Sequence, residues 1–174
     1  MVENDIKEYR ALRQQVDELC DKFTDMHRSQ LSCKKGCDSC CESLRIFPVE
    51  YYSIQQELAG KKIPPIKWHH RYSKKCRFLV NSACAIYDSR PIICRTQGLP
   101  LLYENSTGTA YELSVCQLNF KGMSVDTFNM DNALFMPPIN SKLFMINHAL
   151  VNSSNLAKKS PKFRIKLNTL RFDL

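Results

Sequence analysis

The stretch Cys33, Lys34, Lys35, Gly36, Cys37, Asp38, Ser39, Cys40, Cys41 places four thiols in nine residues, and its reading decides the fold. Core packing does not need such density, whereas a metal site does, because thiolates are soft ligands that gather around a cation. Gly36 permits a left-handed turn that brings Cys33 back over Cys37 and Cys40. Ser39 with Glu42 three residues later has the pattern of a capping box, which predicts a helix with Cys40 and Cys41 in its first turn. Unpaired N–H groups and the positive dipole end would lower the pKa of thiols placed there. Successive helical residues point about 100° apart, by the 3.6-residue period, so Cys40 and Cys41 are not expected to serve one small ion alike. One of them then faces a second site or the far side of a larger cluster.

Outward from this run, Cys76, Cys84, Cys94 and Cys116 follow, so eight of the nine cysteines lie within 84 residues and only Cys20 stands apart. Three arrangements of Cys33, Cys37, Cys40, Cys41, Cys76, Cys84, Cys94 and Cys116 fit the count. One four-iron (4Fe-4S) cluster would use four thiols, two tetrahedral zinc sites would use all eight, and a mixed site would pair one metal with a redox-active thiol pair. Cys37 and Cys40 have the short zinc-ribbon spacing. The seven residues between Cys76 and Cys84 and the nine between Cys84 and Cys94 match no standard ribbon, which places iron and sulfur ahead of zinc. Arg90 and Arg95 flank Cys94 and are expected beside the site, compensating its charge or donating hydrogen bonds to its sulfurs. His69 and His70 have no spaced partners of their own and read as surface residues.

The spacing of Cys33, Cys37 and Cys40 is also that of radical enzymes using S-adenosylmethionine, but the chain lacks the repeated strand-helix units of their barrel. A more extensive likeness covers Cys33 to Cys116. The run itself, then Cys76, Phe78, Leu79, then Cys84, Ile86, Tyr87, then Arg90, Pro91, Cys94, Arg95, and finally Cys116 resemble the bacterial cysteine-cluster proteins described as zinc- or iron-chelating domains of the CxxCxxCC type. The first spacing here is one residue longer, CxxxCxxCC. A related cluster occurs in the flagellin lysine methylase, so the resemblance implies metal binding, with an iron–sulfur centre and, for some relatives, a methyl-transfer role.

Elsewhere the pattern is ordinary. The 174 residues, 44% of them hydrophobic, are enough for one packed domain, read as an amphipathic N-terminal helix (1–30), a cysteine-cluster metal-binding segment (31–120) and a helical, basic covering segment (121–174). Tyr9, Leu12, Val16, Leu19, Phe23 and Met26 form one helical stripe with Cys20 beside it as a small core residue. A second helix is expected over Val49–Ala59, opened by Pro48 and stopped by Gly60. Arg77–Val80 and Cys84–Tyr87 read as short extended arms around Asn81, Ser82 and Ala83. Asp88 or Ser89 is expected to cap a short helix bearing Cys94. Leu99–Tyr103 and Ala110–Val115 flank a hairpin turn, and Met136, Pro137, Pro138 precede a helix over Ser141–Val151. The fold class is therefore mainly α with short β hairpins, a small α+β fold organised around a cysteine-ligated metal centre.

Net charge is +8. From Ser141 onward seven Lys and Arg face the single acid Asp173, and Lys61–Arg77 carries seven cations and no acid around Trp68, His69, His70 and Tyr72. Without a recognisable binding motif this reads as solvated basic surface that offsets thiolate charge, so nucleic acid is not an expected partner, while a protein partner is allowed. Met1–Arg10 has no apolar core and no later stretch has 18 uninterrupted apolar residues, which suggests a cytoplasmic protein with no membrane contact. No Ser-His-Asp order, carboxylate pair or glycine-rich phosphate loop is present, so an enzyme is not the first expectation. The leading one is a metal-binding protein whose iron–sulfur cluster, or zinc, has a structural or redox role. The alternatives are a cluster-dependent radical or methyl-transfer enzyme acting on a protein side chain, and a zinc-stapled interaction module with a basic surface.

Overall fold

The computed structural model describes residues 2–63, 74–154, 156 and 159–170. Trp68, His69, His70, Tyr72, Lys158, Arg171 and Asp173, on which part of the charge reading rests, lie outside these residues. A long first helix, α1 (Val2–Met26), is packed against α2 (Pro48–Leu58), α3 (Ile92–Thr96) and α4 (Pro137–Ser153). The short strands are β1 (Arg45–Ile46), β2 (Leu79–Val80), β3 (Ala83–Cys84), β4 (Leu101–Glu104), β5 (Tyr111–Ser114), β6 (Leu134–Phe135) and β7 (Ile165–Lys166). The architecture is a small α+β fold. Among the described residues no helix is long and apolar enough to cross a membrane.

α1 forms because its apolar positions recur at helical spacing, and it buries Ile6, Tyr9, Leu12, Val16, Cys20 and Phe23. The stripe thus runs through Cys20, not through the expected Leu19 and Met26, which are 37% and 48% exposed. Positions 19 and 20 lie on either side of Val16, and a stripe with a 3.6-residue period can continue through either. Pro137 and Pro138 begin α4 instead of breaking the chain before it, because a missing N–H costs nothing in a first turn.

Two apolar cores share α2. The first joins α1 and α4 to Phe47, Val49, Ile92, Leu99, Leu101 and Leu134. The second gathers Ile46, Ile54, Leu58, Cys76, Phe78, Ile86, Leu167 and Leu170. Burying a side chain of this size stabilises by about 1.5–3 kcal/mol, so both cores matter in a small domain. β7 pairs antiparallel with β1 and brings the C-terminal turn under the second core. Arg77, read from sequence as part of a basic surface, is 7% exposed. Its Nη1 donates to the carbonyls of Asn168 and Leu170, each at 3.0 Å, so it serves as an internal strut for that turn.

β2 and β3 form the expected arms, joined by a tight two-residue turn. Asn81 and Ser82 both have positive φ, 49° and 57°, as a type I′ hairpin turn requires. β4 pairs antiparallel with β5, the predicted hairpin, and parallel with β6. The helix carrying Cys94 starts at Ile92, and its first N–H is not satisfied by Asp88 or Ser89. The buried Glu50 of α2 does this instead, accepting from Ile92 N at 3.1 Å through Oε1 and from Phe47 N at 2.9 Å through Oε2. A single carboxylate therefore closes two helix starts.

Candidate metal centre

The cysteine run is not helical. Residues 31–44 form turns and extended backbone, ending in an antiparallel bridge between Glu42 and Lys75. The Ser39–Glu42 capping box is overridden by pairing with a distant segment: Cys76 N–H donates to Cys41 O at 3.0 Å and Ser43 N–H to Lys74 O at 2.6 Å. A backbone committed to that partner cannot also make helical bonds. With the helix goes the dipole that would have favoured thiolates there. Gly36 adopts φ +99° in a turn where Cys37 N–H donates to Lys34 O at 2.9 Å, which reverses the chain as the sequence suggested. Lys75 Nζ holds the loop from outside, 3.2 Å from Asp38 Oδ1.

This loop, the β2–β3 hairpin and α3 enclose a cavity of about 830 Å³. Cys33, Cys37, Cys40, Cys41, Cys76, Cys84 and Cys94 all line it, so seven of the eight predicted cysteines meet in one place. Cys116 lies on the other side of Cys40, where both border a smaller hollow of about 340 Å³. Cys20 is in the α1 stripe, away from the cavity wall. All nine cysteines are free thiols. Among the described residues no three Cys, His, Asp or Glu groups converge on the point a single ion would occupy.

Burial governs five of the cavity thiols. It raises the pKa of Cys40, Cys76, Cys84 and Cys94, and pushes Cys41 up to about 11, where the charges of Cys40, Cys84 and Cys76 add to it. Raised thiols are poor nucleophiles and poor partners in disulfide exchange. As metal ligands they remain suitable, since a bound cation favours the thiolate and binding then releases protons. The donor set, soft sulfur on most of the wall, fits zinc or iron.

Arg90 and Arg95 act differently from one another. Arg90 lines the cavity with its guanidinium carbon 3.5 Å from the Tyr87 ring centroid, and its charge partly offsets burial at Cys84 and Cys94. Arg95 has its donors committed elsewhere: Nη1 to Asp17 Oδ1 and Oδ2 at 2.6 and 2.7 Å, Nε to Arg90 O at 2.7 Å, and Nη2 to Asp88 O. It locks α3 to α1 and so fixes the element that carries Cys94.

Two supporting residues escaped sequence reasoning. Asn119, 3% exposed, donates through Nδ2 to Cys33 Sγ at 3.3 Å and to Gly98 O at 2.7 Å, while its Oδ1 accepts from Ser32 N at 2.8 Å. Gly98 has φ +96°, and a Cβ there would stand 2.8 Å from Cys33 Sγ. Neither lies within a spacing motif; Gly98 sits between Cys94 and Cys116, and Asn119 three residues beyond Cys116.

Residues 32–117 match a family model described as "CxxCxxCC: Putative zinc- or iron-chelating domain". The segment belongs to this family. The match begins one residue before Cys33 and ends one after Cys116, so the CxxCxxCC domain contains every thiol of the cavity and the smaller hollow. No curated protein and no solved structure matches the chain. α1 and α4 thus lie outside the matched segment yet supply much of the first core.

Proposed function

We propose that the CxxCxxCC domain holds an iron–sulfur centre through its cysteine thiolates, with a structural or electron-transferring role. Metal binding follows from the family. The preference for iron and sulfur rests on one observation: the thiols ring a void of about 830 Å³ instead of converging on a point. A bare zinc ion draws four sulfurs to about 2.3 Å from one centre, whereas an iron–sulfur core has a volume of its own and meets its ligands at its corners. The protein's contribution is to present the sulfurs on a half-buried wall and to place Arg90 where its charge compensates an anionic centre.

Iron, zinc and acid-labile sulfide measured on anaerobically purified protein test this reading. Brown protein with iron and sulfide in equal amounts supports it; colourless protein with stoichiometric zinc and no sulfide overturns it. Cys33→Ser, Cys37→Ser and Cys40→Ser are expected to lose metal and Cys20→Ser to retain it, and full metal in all three ligand variants would remove the assignment.

A further inference from the structure

We propose that the eight thiols form two separate metal sites, one from Cys33, Cys37, Cys40 and Cys116 and the other from Cys41, Cys76, Cys84 and Cys94, joined through the Cys40–Cys41 peptide bond. The inference rests on the metal-binding reading and adds to it the number of centres and their ligands. Its warrant is that each set has its own backbone clasp and that the two clasps share no residue.

In the first set the partners are 83 residues apart in sequence, and the Cys116–Phe120 turn brings them together. Asn119 N–H donates to Cys116 O at 3.0 Å while its side chain donates to Cys33 Sγ, so one residue touches both cysteines. Phe120 N–H donates to Gln30 O at 3.1 Å and Ser32 Oγ to Leu118 O at 3.0 Å, closing the turn onto the start of the cysteine run. Cys40 borders both the main cavity and the hollow that contains Cys116. The thiols whose charge is felt at Cys40 are Cys33, Cys37 and Cys116.

In the second set Cys41 accepts from Cys76 N–H through its carbonyl, and the β2–β3 hairpin folds Cys84 back over Cys76, with Leu79 N–H donating to Cys76 O at 3.2 Å and Ala85 N–H to Phe78 O at 2.7 Å. α3, held by Glu50 at its start and by Arg95 on its flank, presents Cys94 to the same hairpin. The charges felt at Cys94 include those of Cys76 and Cys84, and at Cys41 the charge of its chain neighbour Cys40 comes first, followed by Cys84 and Cys76. Cys40 lies in the turn closed by Cys41 N–H to Asp38 O at 3.0 Å, whereas Cys41 begins the segment that pairs with residues 74–76, so different elements hold the two neighbours.

The test is a titration of metal-free, reduced wild-type protein with Cd²⁺, followed by the thiolate-to-cadmium absorption and by cadmium NMR. Two equivalents with two all-sulfur resonances are expected. The double variants Cys33→Ser/Cys116→Ser and Cys84→Ser/Cys94→Ser should each keep one equivalent and one resonance, not the same one. A single equivalent in the wild type overturns the division while leaving metal binding intact; uptake of no cadmium removes both. Loss of both resonances in a double variant that remains folded by circular dichroism overturns the division too. Should either variant fail to fold, the wild-type count decides the matter alone.

Discussion

Gly98 illustrates how closely backbone and sulfur are fitted at the scale of a residue. Any side chain there meets Cys33 Sγ at 2.8 Å, and φ +96° is strained for every L residue other than glycine. Gly98→Ala is therefore expected to cost about 1–2 kcal/mol from backbone strain alone and to displace Cys33 from its hydrogen bond with Asn119. Urea denaturation and metal content measured together check this; unchanged values for both would mean that the approach of Gly98 to Cys33 is not tight. The cysteines themselves were legible from spacing, because eight thiols at such density have few other uses. Asn119 and Gly98 were not, since a single Asn or Gly acquires meaning only from what the fold places against it.

At the scale of an element, Glu50 couples α2 to α3. Burial raises its pKa to about 6 from the ordinary 4.5, against the lowering effect of the N–H groups of Phe47 and Ile92. A carboxyl with a raised folded-state pKa binds its proton more tightly when folded. Its contribution is therefore fully present below about pH 4.5 and is lost as pH rises through about 6, a change of about 2 kcal/mol at 1.36 kcal/mol per unit. Glu50→Gln should flatten the stability profile between about pH 4.5 and 6 relative to wild type, as read by chemical denaturation at each pH. Parallel profiles would show that this carboxyl does not titrate in that range. The helices α1, α2 and α4 and both hairpins were legible because apolar period and turn residues are local signals. The helix expected at Ser39–Glu42 failed for a physical reason: a capping box is worth about 1 kcal/mol, and pairing of residues 41–43 with residues 74–76 outweighs it.

At the scale of the molecule, the turn over Leu167–Leu170 supports the wall of the cysteine cavity. Leu167 and Leu170, 2% and 0% exposed, complete the core that contains Cys76 and Phe78. Leu170→Ala is expected to cost about 2–5 kcal/mol, the range for a buried leucine, and the loss should be greater in metal-loaded protein, because a disturbed Cys76 also lowers metal affinity and with it the stabilisation that binding adds. Thermal melts of both forms with and without the substitution measure this. An equal loss in the two forms would detach the second core from the site.

The sequence by itself determined that thiols dominate this chain, that they belong with a metal, and which family they come from, because soft-ligand density and motif order are properties of composition and spacing. It also determined most helices through local periodicity. Only the tertiary structure decided that the cysteine run is a loop, that its neighbours come from the β2–β3 hairpin, α3 and the Cys116–Phe120 turn, and that of the two arginines on the cavity wall Arg95 also ties α3 to Asp17 of α1. Those outcomes depend on hydrogen bonds between residues 31 to 90 positions apart, and at that separation the winner among competing local preferences is chosen by packing.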